Sequence, residues 1–171
     1  EVADGTVGEL IVRTHRPWAL MRGYYNNPQA TADSMRNGWF HTGDGFRREP
    51  DGTLYFVDRL KDVIRRRGEN ISSFALESEV LSIPEIRECA AVAVPSEFSE
   101  DEVMIVVTPV DGAEIDPSAV IESLKTKLPH YMVPRYIRIL GGLPKTASGK
   151  VQKHILRTEG LTSGVYDRMG T

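Results

Sequence analysis

The sequence predicts an α+β protein built in two parts, on three observations. Residues 1–60 read as short strands and tight turns with little helix. From residue 61 onward, apolar strands alternate with two amphipathic helices. A charged cluster, Asp58-Arg59-Leu60-Lys61-Asp62, marks the change between them. The chain has 171 residues, 40% hydrophobic and 26% charged, which is the composition of a globular protein able to bury a core.

In the first part, Gly8-Glu9-Leu10-Ile11-Val12-Arg13 reads as a strand after a Gly turn. Asn27-Pro28-Gln29-Ala30-Thr31-Ala32 opens a short helix, which Asn37-Gly38 is expected to end. Trp39-Phe40-His41 is extended and runs into a turn at Thr42-Gly43-Asp44-Gly45. Asp51-Gly52 then turns the chain into the strand Leu54-Tyr55-Phe56-Val57, predicting a hairpin. These pieces carry too little helix to cover a sheet, and their edges require partners from elsewhere. Residues 1–60 are therefore expected to be the β-rich end of a larger domain. The chain also opens on Glu1 rather than Met, so it is expected to begin partway into a longer protein.

Residues 61–157 form the second expected domain. Asp62 to Arg66 is a strand, and Arg67-Gly68-Glu69-Asn70 a turn. Phe74 to Ile83 places Leu76, Val80 and Ile83 on one helical face and stops before Pro84. Ile86 to Val94 and Val103 to Thr108 are apolar strands. Asp116 is an N-cap with Pro117 at the first helical position, and Val120, Ile121, Leu124 and Leu128 make an apolar stripe ending at Pro129. Tyr136 to Leu140 is a further strand. The expected result is a small sheet with two helices, followed by a polar tail at 158–171.

Several function classes are disfavoured. A net charge of −3 argues against a nucleic-acid or anionic-membrane binder. No apolar stretch approaches the roughly 18 residues of a membrane span, and no signal-peptide pattern is present. The one cysteine, Cys89, lies in an apolar run and reads as a small core residue in a reducing, cytoplasmic setting. The four histidines, His15, His41, His130 and His154, show no metal-ligand spacing, so no protein-bound metal is expected.

Four segments could carry chemistry. Asp44 in Thr42-Gly43-Asp44 can accept two hydrogen bonds, which suits a vicinal diol such as a ribose; alone, it reads as an ordinary turn aspartate. Arg59 could grip a hydroxyl or phosphate, or sit in a solvated linker. Arg65-Arg66-Arg67-Gly68-Glu69-Asn70 could hold an anion, with Gly68 allowing close approach to the backbone. Strand alternation turns Arg66 away from Arg65 and Arg67, and at least one of the three reads as plain surface charge. Pro144-Lys145-Thr146-Ala147-Ser148-Gly149-Lys150 fails as a Walker loop, because Gly142 is too far from Gly149 and Val151 follows Lys150. It remains a mobile loop that can deliver one ammonium to a phosphate.

Taken in order, these segments resemble the ANL superfamily of adenylating enzymes: acyl-CoA synthetases, peptide-synthetase adenylation domains and luciferases. The resemblance rests on Gly23-Tyr24-Tyr25-Asn26-Asn27-Pro28-Gln29-Ala30-Thr31, Gly38-Trp39-Phe40-His41-Thr42-Gly43-Asp44, Asp58-Arg59-Leu60-Lys61-Asp62, Arg67-Gly68-Glu69-Asn70-Ile71-Ser72 with Glu77, and Leu143 to Lys150. It implies a small mobile C-terminal domain after the end of a large ATP- and acyl-binding N-terminal domain. It further implies that Asp44 and Arg59 bind the ribose of ATP and that Lys61 is the hinge. Lys150 would contact the carboxylate and α-phosphate, while Gly68, Glu69 and Asn70 would line the pantetheine channel for CoA. ATP with Mg2+, CoA and a small carboxylic acid are the implied reactants, and the missing N-terminal domain the implied partner. The segment Arg67 to Ser72 most resembles the crotonobetaine/carnitine-CoA ligase branch, although Asn70 stands where many relatives have arginine. The phosphate loop and adenine pocket of such enzymes are absent, so the fragment alone should be inactive. Two other readings are the end of an adenylation domain acting on another acceptor, and a non-catalytic module binding phosphate or nucleic acid through Arg65 to Arg67.

Overall fold

The computed structural model describes residues 1–96 and 100–170. The chain divides into two compact units, Glu1–Lys61 and Asp62–Thr171.

The first unit is an antiparallel sheet. It comprises β1 (Val7–Val12), α1 (Pro28–Ser34), β2 (Met35–Arg36), β3 (Trp39–Arg48) and β4 (Leu54–Arg59), and β3 pairs with each of the other three strands. Asn27 caps α1 by accepting the Ala30 N–H at 3.0 Å, with Pro28 at the first helical position. The helix ends at Ser34, earlier than expected. Asn37 and Gly38 instead make the two-residue turn from β2 to β3, with φ of 54° and 74°. Consecutive positive φ values suit an Asn-Gly hairpin, and the pair serves that turn rather than a helix end. Thr42 to Gly45, expected as a turn, lies within β3 as an irregularity in its pairing. Among the described residues of this unit only Gly45 and Asp58 are buried.

The second unit has its own core. The hairpin β5 (Ile64–Arg66) and β6 (Glu69–Ile71) leads into α2 (Ser73–Val80), β7 (Ile86–Pro95), β8 (Asp101–Pro109), α3 (Pro117–Lys127), β9 (Tyr136–Ile139), α4 (Lys153–Glu159) and β10 (Tyr166–Asp167). The main sheet has the order β10-β9-β8-β7. β8 and β9 are parallel, joined by a crossover through α3, and the other pairs are antiparallel. Alternate residues of β7 and β8 feed two cores. Cys89, Ala91, Val103, Ile105 and Val107 pack with Ile64, Leu76, Val80, Val120, Ile121 and Leu124. Ala90, Val92, Val94, Met104 and Val106 pack with Tyr136, Leu143 and Leu156. A strand buried on both faces favours apolar residues on both, which is why residues 103–107 of β8 read as an unbroken apolar run.

The α+β class holds, with three corrections in this unit. Only Arg67 and Gly68 form the turn between β5 and β6, with φ of 54° and 79°; Glu69 and Asn70 already belong to β6. A third helix, α4, covers the second face of the sheet through Leu156. Residues 158–171, expected as a polar tail, contain the end of α4 and the strand β10, which pairs with β9 and is held by an Arg135–Asp167 ion pair of 3.0 Å. That pair holds the Asp167 carboxyl below its usual range. Among the described residues, no helix is long and apolar enough to cross a membrane.

Candidate functional site

In the first unit, the candidate site is an irregular stretch of β3. Gly43 takes φ 72°, open to glycine at little cost, and the β1–β3 register shifts between Glu9 and Ile11. This bulge is fixed from β1. Glu9 accepts the Gly43 N–H at 3.1 Å and pairs with His41 Nδ1 at 2.7 Å, and Thr42 Oγ1 donates to the Leu10 carbonyl at 2.7 Å. The His41 hydrogen bond holds the Glu9 carboxyl below its usual range. Bulges commonly re-aim a side chain beside a functional site. Here Asp44 is brought opposite Arg59 on β4, with Oδ1 and Nε 2.9 Å apart. Both are partly solvent-accessible, and the carboxylate keeps acceptor capacity for a ligand. Leu60 donates its N–H to the Gly43 carbonyl at 2.9 Å, and the exposed Lys61 is the last residue of the unit.

In the second unit, the three consecutive arginines separate. Arg65 and Arg67 are exposed, whereas Arg66 is 1% exposed. Its Nε lies 2.8 Å from Glu102, and Nη1 donates to the carbonyls of Tyr131 and Val133 at 2.9 and 3.0 Å. Burial lowers its pKa, partly offset by Glu102. Arg66 is thus committed to internal structure. Gly68 of the adjoining turn and Glu69 and Asn70 of β6 are exposed. The Gly68 N–H donates to both Glu100 oxygens at 3.2 Å, just before β8 and next to the end of β7.

Lys150 stands on a closed loop rather than a loose one. Lys145 and Val151 form a β-bridge; Thr146 N–H donates to the Lys150 carbonyl at 2.8 Å and Gln152 N–H to the Pro144 carbonyl at 2.8 Å. Gly149 takes φ 81°, and Thr146 Oγ1 accepts the Lys150 N–H at 3.1 Å. Lys145 pairs with Glu88 near the start of β7, while Lys150 itself is exposed. Any large displacement of Lys150 is therefore easier by moving the whole unit than by opening the loop.

The two loops sit at opposite ends of one strand pair. Lys145 is tied to Glu88, and Gly68 to Glu100, which also accepts the Ser96 N–H just past β7. Eight residues separate Glu88 from Ser96 along the chain, about 25 Å at the rise of an extended strand. No group of His, Cys, Asp and Glu suited to a metal ion occurs among the described residues. Sequence reasoning missed Glu9, Glu100 and Lys153, each a lone charged residue whose partner is distant in sequence.

Residues 75–150 match the family described as AMP-binding enzyme C-terminal domain. The 4-hydroxybutyrate–CoA ligase 2 of Metallosphaera sedula is 38% identical over 91% of this chain and 28% of its own length. The amide bond synthetase McbA of Marinactinospora thermotolerans is 34% identical, with a TM-score of 0.76 over 92% of this chain and 32% of its own. The o-succinylbenzoate CoA synthetase MenE of Bacillus subtilis, in complex with the acyl-adenylate intermediate OSB-AMP, is 27% identical, with a TM-score of 0.80 over 91% and 31%. The chain thus spans less than a third of the length of these relatives. Residues 75–150 thus match the C-terminal domain of AMP-binding enzymes, and the small α+β fold of the chain is similar to the corresponding part of the McbA and MenE structures.

Proposed function

We propose that the protein containing this chain is an AMP-forming acyl-CoA ligase. A carboxylate oxygen attacks the α-phosphorus of ATP and pyrophosphate leaves, giving an acyl-adenylate. The CoA thiol then attacks the acyl carbon and AMP leaves. Adenylation is needed because a thiol cannot displace oxide from a carboxylate. In this reading Asp44 accepts the ribose hydroxyls, oriented by Arg59. Lys150 offsets the repulsion between carboxylate and α-phosphate as they meet. Gly68, Glu69 and Asn70 border the pantetheine arm in the second step, Gly68 offering its backbone without a Cβ. Mg2+ would arrive with ATP, screening its phosphates. Lys61 is the hinge.

The observation that carries this reading is the separation of the lysine loop from the glycine turn by about the length of β7. Two groups so far apart on one rigid unit cannot occupy one reaction centre together. A reorientation between half-reactions lets each serve in turn, and Lys61, ending the first unit, is where a rotation would be absorbed. The exposed Trp18 and Tyr25 support a further part of the large domain as partner of the first unit. The acid is a small carboxylate, with the crotonobetaine/carnitine-like branch favoured by Arg67 to Ser72. The buried lone Cys89 fits a cytoplasmic setting.

A second reading, adenylation followed by transfer to an amine, draws on the amide bond synthetase among the relatives. One experiment addresses both. Pyrophosphate exchange on the complete protein, with a panel including acetate, 4-hydroxybutyrate, ferulate and crotonobetaine, should be acid-dependent, and CoA should then release AMP. AMP release with amines but not CoA would favour the second reading, and no exchange with any acid would count against both. The 171-residue chain alone should give no exchange.

A further inference from the structure

Lys153 lies three residues beyond Lys150 and opens α4. Its ammonium is 2.7 Å from Glu77 Oε1 and donates to Ser73 Oγ at 2.7 Å. The same Glu77 oxygen accepts the Ala91 N–H at 2.7 Å. β7 is an edge strand of the sheet, so α2, on one face, and α4, on the other, meet around that edge through the contacts of Lys153 with Glu77 and Ser73. Both side chains are only 16% exposed, which protects the pair from the screening that weakens surface ion pairs. On the other side of the loop, Lys145 is tied to Glu88. The chain carrying Lys150 is thus pinned on both flanks to β7 and α2, with only Val151 and Gln152 between Lys150 and the second pin. Leu156 already buries α4 in the core and Arg157 pairs with Asp62, so the helix has other anchors. What the Lys153 pair adds is a fixed direction for the loop's exit.

We propose that Lys153, clamped by Glu77 and Ser73, is a positioning residue that sets where the Lys150 ammonium stands during adenylation. This rests on the reading above that Lys150 serves the first half-reaction. The clamp acts through Lys150 and touches no reactant. Its loss therefore lowers the rate of adenylation while leaving the glycine turn, at the far end of β7, unaffected.

The test uses the complete protein, with the panel acid that gives the fastest pyrophosphate exchange and the corresponding synthetic acyl-adenylate with CoA. Lys153→Met is expected to lower exchange roughly 10- to 100-fold in kcat, as a misplacement of about 1 Å does, with little change in the KM for ATP. Thioester formation from the acyl-adenylate should stay within about twofold. Lys153→Arg should restore most of the exchange. Glu77→Gln keeps an oxygen for the Ala91 N–H but removes the charge, and should impair the same half-reaction. Lys150→Ala separates the two ideas. If it abolishes exchange while Lys153→Met does not, the clamp is overturned and the role of Lys150 stands. If Lys153→Met slows both half-reactions equally and Lys153→Arg fails to rescue, the pair is merely structural. If Lys150→Ala leaves exchange intact, the underlying reading falls and the positioning role with it.

Discussion

Arg66 shows how a run of like charges can divide its labour. It is buried against Glu102, itself 6% exposed, and holds the carbonyls of Tyr131 and Val133. Arg66→Met would strand a buried carboxylate and release two carbonyls, so the expected loss is about 3–5 kcal/mol. Denaturant unfolding followed by far-UV circular dichroism would measure it. Arg66→Met combined with Glu102→Leu should cost less than Arg66→Met alone, because no charge is left unpaired; equal or greater loss would show that the pair itself, and not the stranded charge, dominates. Strand alternation put Arg66 on a different face from its neighbours, and that much was legible in the sequence. That this face is the interior was not, since nothing local identifies Glu102, 36 positions later, as its partner. Glu9, Glu100 and Lys153 escaped notice for the same reason. Asp44 and Arg59 were legible as a motif, but the bulge that aims Asp44 depends on Glu9, far away in sequence.

Among the elements, those with a long apolar period or a strong cap were legible: α2, α3, β7 and β8. α4 was not, because seven residues with only Leu156 buried leave no repeating stripe. The Asn37-Gly38 pair misled because a helix end and a hairpin turn both favour positive φ, and only the pairing of β2 with β3 decides between them. The loop carrying Lys150 looked mobile from its small residues, yet its backbone bonds close it. In the proposed two-step scheme, the reorientation then falls to the link between units. Lys61→Pro fixes φ near −65° and removes an N–H at the proposed hinge. In the complete protein this substitution should leave one half-reaction within about threefold of wild type and slow the other by more than about tenfold, with the overall rate following the slower step. Separate measurement of pyrophosphate exchange and of thioester formation from acyl-adenylate checks this. An unchanged overall rate would remove Lys61 as the hinge.

At the scale of the whole molecule, the two units differ in what holds them together. Every buried hydrophobic residue described lies between Ile64 and Leu156, and none belongs to residues 1–61. Ordering a residue costs on the order of 1–2 kcal/mol of backbone entropy, which apolar burial must offset. The second unit has helices on both faces of its sheet to supply that burial. The first has Trp18 81% and Tyr25 93% exposed, with Leu54, Tyr55 and Phe56 also open to solvent. Residues 62–171 expressed alone should therefore unfold cooperatively, whereas residues 1–61 alone should show no transition. Both tryptophans, Trp18 and Trp39, lie in the first unit, so two probes separate the units within the intact 171-residue chain. Circular dichroism should report one denaturant transition from the second unit. Tryptophan emission should stay at the wavelength of solvated indole and fail to follow it. Coincident transitions by both probes would mean that the first unit folds cooperatively with the second without further sequence, and the case for a large-domain partner over Trp18 and Tyr25 would lose its physical basis.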